Sequence, residues 1–120
     1  KVGYAWQKSM DDETDQVIAD APARMFDMRI QWQVNNVIKL RLDSSWILDR
    51  SRLLIDARNS IENYNATNLT SSYRISEQIT IDLAIKNVFD EQYFEPSDGQ
   101  IVGDYPMQKR AAWLSINYTL

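Results

Sequence analysis

The chain has 120 residues and a formal net charge of −4, and it contains neither Cys nor His. That length suits one small domain or a piece of a larger one. The acidic balance argues against nucleic acid as a partner, and the missing residue types exclude disulfides, thiolate metal sites, cysteine nucleophiles and His-dependent triads.

Period-two alternation of apolar and polar residues recurs along the chain and predicts strands. The first stretch, KVGYAWQ, puts Val2, Tyr4 and Trp6 on one face. RMFDMRIQWQV puts Phe26, Met28, Ile30, Trp32 and Val34 opposite Met25, Asp27, Arg29, Gln31 and Gln33. VIKLRLDSSWIL puts Ile38, Leu40, Leu42, Trp46 and Leu48 opposite Lys39, Arg41, Asp43 and Ser45. NATNLTSSYRI is weaker, with Leu69, Tyr73 and Ile75 on one side. The fifth stretch aligns Ile79, Ile81, Leu83 and Ile85 against Thr80, Asp82, Ala84 and Lys86, and stops at Asn87-Val88-Phe89-Asp90. The last, AAWLSINYTL, aligns Ala112, Leu114, Ile116, Tyr118 and Leu120 against Trp113, Ser115, Asn117 and Thr119.

A helix would mix Arg29 and Gln33 with Phe26 and Ile30, scrambling what a strand sorts. The fold class is therefore all-β, with about six antiparallel up-and-down strands and no helix. Asn35-Asn36 and Ser76-Glu77-Gln78 read as short turns. The other connections, roughly residues 10–23, 51–64 and 88–109, are long. Short and long alternate, so all short turns fall at one sheet edge and all long loops at the other.

Two media fit an apolar face: a protein core, as in a lipocalin-like barrel or a soluble sandwich, or lipid. No apolar run is long enough for a membrane-spanning helix. An alternating transmembrane strand keeps hydropathy low, so a mean hydropathy of −0.45 fits either medium. Three features favour lipid. Short turns alternate with long loops, as in outer-membrane barrels. Strands two, three and six reach about ten residues, enough to cross when tilted. Phe26, Trp32, Trp46, Tyr73 and Tyr118 lie toward strand ends on the apolar face, where headgroups favour rings.

The stretch LAIKNVFDEQYFEP, followed by YPMQKRAAWLSINYTL, resembles the C-terminal end of TonB-dependent outer-membrane receptors. In that family an alternating strand runs into Asn-Leu-Phe-Asp-x-x-Tyr; a long loop, a Gly-Arg pair and a final strand follow. Here the motif is Asn87, Val88, Phe89, Asp90 and Tyr93, and Arg110 matches the family's Arg with Lys109 in place of Gly. Upstream, ADAPARMFDMRIQW is similar to the stretch where Ala-Pro opens a strand after a long loop. Such strands usually end in Phe or Trp, whereas this one ends in Leu120 after Ala112, Leu114, Ile116 and Tyr118. The departure implies a weakened insertion signal or a trimmed C-terminus.

By their own chemistry, Asn87 and Asp90 suit hydrogen bonds to nearby backbone where the ladder ends, and Phe89 and Tyr93 suit packing at the rim. The motif then shapes a turn rather than holding a ligand. The resemblance implies residues 1–120 of a receptor barrel of about 22 strands around a plugged lumen, with plug and earlier strands absent. A start at Lys1, without a signal peptide, suits such a fragment. It also implies a periplasmic C-terminus, periplasmic short turns and outward long loops.

The implied function is active uptake across the bacterial outer membrane of a scarce nutrient, most often an iron-siderophore complex, with energy from TonB. The implied partners are outer-membrane lipid, an extracellular ferric siderophore, TonB through the missing plug only, and the barrel-assembly machinery through the last strand. No enzyme activity, metal or cofactor is expected. Loops on a rigid barrel carry recognition, which makes Tyr64, Phe94 and Asp98 candidate ligand-facing residues. The acidic run Met10–Gln16 has clustered carboxylates but lacks the spacing and Gly of an EF-hand, so it reads as a solvated loop. The alternative is a soluble ligand-binding module, in which Phe26, Ile30, Trp32 and Leu40 face a closed interior.

Overall fold

The computed structural model describes residues 1–6, 24–52, 56–58, 60–97 and 102–119. The acidic run at Met10–Gln16, Asp98 and Leu120 lie outside the described residues. Eight strands follow in chain order: β1 (Val2–Trp6), β2 (Arg24–Gln33), β3 (Ile38–Leu48), β4 (Tyr64–Arg74), β5 (Ile79–Lys86), β6 (Phe94–Glu95), β7 (Tyr105–Pro106) and β8 (Ala111–Tyr118). Six of them form one antiparallel sheet in the order β1-β2-β3-β4-β5-β8, and β6 pairs with β7 as a separate small hairpin. Alternation predicts the six sheet strands. It has no purchase on two-residue strands, which are too short to show a period.

Register sorts the faces. Ile30 lies opposite Leu42, Leu42 opposite Leu69, Leu69 opposite Ile85, and Ile85 opposite Ala112. One row of aliphatic side chains therefore crosses five strands on the same face. The weak pattern of β4 has a local reason. On the apolar side it carries Asn65, Thr67 and Ser71 as well as Leu69 and Tyr73. Thr67 and Ser44 are each 4% exposed and their hydroxyls are 2.7 Å apart. Asn65 Nδ2 donates to Ser44 Oγ at 2.9 Å, and Thr67 Oγ1 donates to Asn65 Oδ1 at 2.8 Å. The three polar groups close on one another, as they must on an apolar face.

Among the described residues, none covers the apolar face. Ile30 is 50% exposed, Leu83 38% and Ile116 67%, and the only buried hydrophobic residues among those described are Ile47 and Ile61. The radius of gyration is 19.2 Å, against about 14 Å for a compact domain of this length. A lipocalin-like or sandwich interior would enclose Ile30 and Trp32. The sheet is instead a single layer, and Trp32 is 61% exposed. Rings mark both ends of the aliphatic band: Trp32, Tyr73 and Tyr118 toward the short turns, and Tyr4, Trp6, Phe26 and Trp46 toward the long loops. The Phe26 and Trp46 rings touch, with centroids 4.9 Å apart. Six residues separate Trp32 from Phe26 on β2, roughly 20 Å along the strand. Such a band flanked by aromatic girdles is the outer surface of a membrane barrel.

The short turns are tightly tied. The Asn35 side chain accepts from the backbone N–H of Val37 at 2.9 Å and of Ile38 at 2.8 Å. Ser76 Oγ does the same for Gln78 and Ile79. Arg74 links the two turns by donating to the Asn36 carbonyl at 2.5 Å. β8 ends beside the second turn, where Thr119 N–H donates to the Gln78 carbonyl.

Candidate functional site

Buried Arg50, Ile61, Asn87 and Ser97 all lie at the long-loop end of the sheet. Among the described residues, three non-glycine residues have left-handed backbone, Asp49, Asn87 and Asp90, and all lie where a strand leaves for a long loop. Asn and Asp tolerate that conformation better than other side chains. At the exit of β5, Asn87 is 4% exposed. Its Nδ2 donates to the carbonyls of Glu91 at 2.8 Å and Gln108 at 3.2 Å, and its Oδ1 accepts from Glu91 N–H at 3.0 Å. Asp90 Oδ1 accepts from the backbone N–H of Arg110 at 2.8 Å, and Arg110 Nη1 donates to the Val88 carbonyl at 3.4 Å. One side chain thus joins the end of β5 to the start of β8 across a 24-residue excursion, and a second fixes where β8 begins. Phe89 differs from the rim packing expected of it: it is 71% exposed.

Two long loops are fastened to each other. Residues 49–63 supply Arg50, Arg52 and Arg58; residues 87–110 supply Glu95, Ser97 and Asp104. The Arg50 side chain is 3% exposed. It donates to the Phe94 carbonyl at 2.7 Å and to Glu95 at 2.5 Å, and its guanidinium lies 5.1 Å from the Tyr64 ring centroid. Arg52 grips Asp104 with both terminal nitrogens. Arg58 bonds Asp56, Ser97 and the Gly103 carbonyl. Gly103 has φ 96°, a backbone region that other residues rarely enter. The Arg52 guanidinium on Asp104 holds that carboxyl down at about 2, and Arg58 does the same for Asp56.

Of the candidate ligand-facing residues, Tyr64 lies opposite Ile47 and so on the charged face of the sheet. Its ring stacks on Tyr93 at 4.2 Å and 15°. Phe94 is 45% exposed in β6. The structure therefore brings Tyr64, Tyr93 and Phe94 into one cluster, leaves Phe89 outside it, and does not describe Asp98. The arginine network was not among the sequence expectations. Its partners across the two loops are 39 to 52 residues apart, and no local spacing announces such pairs.

The charged face below the loops carries Asp27, Arg29, Lys39, Arg41, Asp43, Asp82 and Lys86. Asp43 pairs with Arg29 and, at 2.5 Å, with Arg41. Ser45 donates to Asp27 at 2.5 Å and Asn117 to Asp82 at 2.6 Å. A groove of about 520 Å³ runs over this surface between Lys1 and Lys86. Lys39 and Lys86 have no carboxylate partner among the described residues. Among those residues no group of three or more metal-ligating side chains is brought together.

A single antiparallel layer, apolar and ringed by aromatics on one side, charged on the other and laced by loops at one end, is a wall segment of a large transmembrane β-barrel. No family model matches the sequence, and no curated protein matches it. Solved structures do. A mutant of the ferric enterobactin receptor of Pseudomonas aeruginosa superposes with a TM-score of 0.79 at 18% identity, over 98% of this chain and 19% of that one. The ferric-catecholate import receptor of Escherichia coli K12 gives 0.76 at 19% identity, over 98% of this chain and 18% of that one. A siderophore receptor of Acinetobacter baumannii gives 0.72 at 16% identity, over 98% and 19%. These neighbours are receptors for transport rather than enzymes. The chain has the fold of a barrel-wall segment of TonB-dependent siderophore receptors, and it spans about a fifth of their length.

Proposed function

We propose that the chain is the C-terminal wall of an outer-membrane active transporter that takes up an iron-siderophore complex with energy from TonB. The observation that carries this reading is the agreement in fold, over nearly the whole chain, with receptors named for ferric enterobactin, ferric catecholates and siderophores. The uncovered apolar face supports lipid as one partner, since acyl chains satisfy Ile30, Leu83, Leu114 and Ile116 without a second protein layer. In this reading the charged face lines the lumen and the laced loops face outward. TonB acts through a plug that these 120 residues do not include. β8, an edge strand here, is the segment that engages the barrel-assembly machinery and then closes the barrel with an earlier strand.

The test is uptake of radioactive iron by cells lacking the full-length protein, supplied with ferric catecholate siderophores. Uptake should fall on deletion, return on complementation, and vanish when TonB is removed. Unchanged uptake of every ferric siderophore tried, or uptake indifferent to TonB, would end the proposal.

A further inference from the structure

A second recess, of about 300 Å³, opens between the two outer loops and shares no residue with the charged-face groove. Its floor is Ile61, 8% exposed, beside the Arg52–Asp104 pair. Tyr93 and Phe94 form a wall, and Asn63, Glu62 and Gln92 stand around it. The size is at the lower end of small-molecule sites.

The aromatic wall and Asn63 are held in place before any ligand arrives. Tyr93 is stacked on Tyr64, and its carbonyl accepts from Met107 N–H at 3.0 Å. Phe94 is paired with Pro106 in the hairpin. Asn63 Oδ1 accepts from Asp49 N–H at 2.8 Å, which fixes the amide plane and leaves Nδ2 without an acceptor among the described residues. Glu62 and Gln92 are exposed and have no side-chain partner among those residues either.

The charges of the described lining residues disfavour an anion. Arg52 is bidentate on Asp104, so its guanidinium is already neutralised. Counting Arg52 against Glu62 and Asp104 leaves the lining at −1. A cation finds little more, since Glu62 is solvated and an exposed carboxylate attracts weakly. What remains is an aromatic wall, an amide donor, a second amide and a carboxylate acceptor. A sugar ring needs this set: its C–H face packs on an aromatic ring, and each hydroxyl both donates and accepts. We propose that the recess binds a neutral saccharide ring. This goes beyond the transport reading and does not depend on iron uptake.

The experiment uses the full-length protein carrying this chain, purified in detergent, with glycan-array screening followed by calorimetric titration of the tightest methyl glycoside or free oligosaccharide. At least one neutral saccharide should bind. Phe94→Ala and, independently, Gln92→Ala should each weaken it tenfold or more, while Lys39→Ala on the charged face should leave it unchanged. A parallel arm offers a neutral glycolipid in phosphatidylcholine vesicles. Binding of the free sugar identifies a soluble source and binding of the vesicle alone a membrane-borne one; either supports the recess when both variants abolish it. No saccharide binding at millimolar concentration overturns the proposal. So does binding indifferent to both variants, or capture of a simple alkylamine in place of sugars. Iron uptake measured on the same variants tests the transport reading separately.

Discussion

Replacing Asn87 should release the turn that joins β5 to β8. Asn87→Ala removes the bonds to the Glu91 and Gln108 carbonyls and from Glu91 N–H. Three such bonds at a net of about 1 kcal/mol each come to about 3 kcal/mol, more if the stranded groups stay buried. The backbone adds a second effect. Asn87 has φ 48°, and its own Cβ already crowds the following carbonyl by about 1–2 kcal/mol, a cost that alanine keeps and glycine relieves. Asn87→Gly loses the bonds but not the conformation, so it should cost less than Ala by that margin. The opening is local, because the sheet ladder below Ile85 is untouched. Amide hydrogen exchange across Val88–Glu91 in the full-length protein reads it directly. Asn87→Ala should speed exchange roughly a hundredfold and Asn87→Gly roughly tenfold, at about 1.4 kcal/mol per decade. A glycine variant that exchanges as fast as alanine would refute the strain argument. Native-like exchange in both would refute the role given to the side chain.

Ile30→Lys places an ammonium at mid-strand on the apolar face, costing about 2–4 kcal/mol in a bilayer, whereas Gln31→Lys on the charged face should be tolerated; folding yield into lipid vesicles, followed by heat-modifiable gel mobility, tells them apart, and equal yields would count against a lipid-facing Ile30. Arg50→Ala strips the Phe94 carbonyl and Glu95 of a nearly buried partner and should loosen the outer loops by about 2–3 kcal/mol, seen as faster proteolysis between residues 87 and 110. Arg50→Lys should rescue little, since an ammonium cannot reproduce the fork. Asp56 and Asp104 titrate at about 2 when folded against an ordinary 3.8. Their folded pKa values are depressed, so the contribution is complete above about pH 4 and is lost as pH falls toward 2. Loop protection measured by exchange should hold steady from neutrality to about pH 5 and decline below 4, and a decline centred near pH 6 would exclude these carboxylates as its origin.

The order of strands and their two faces were legible because both are local. A residue's face depends only on the parity of its position, and the turns Asn35–Val37 and Ser76–Gln78 use side chains two or three residues from the backbone they bond. Asn87 and Asp90 were visible as types that bond backbone at a strand exit. Their reach to Gln108 and Arg110 was not, since those groups arrive from a distant stretch of chain. β6 and β7 were too short to leave a period. Arg50, Arg52 and Arg58 resemble any solvated arginines in a polar loop until the second loop brings Glu95, Ser97 and Asp104 against them.

The sequence by itself determined a sheet with one aliphatic and one charged side, because alternation is a property of the extended backbone and of neither neighbour nor solvent. Alternation is silent on the medium: Ile30 and Leu83 would follow the same rhythm against a second sheet or against acyl chains. Only the tertiary structure decided between them. Among the described residues it left those side chains uncovered in a single layer, and it buried Ile61, Arg50, Asn87 and Ser97 at the loop end. Burial is a relation between segments far apart in the chain, so it becomes readable only when the chain is folded.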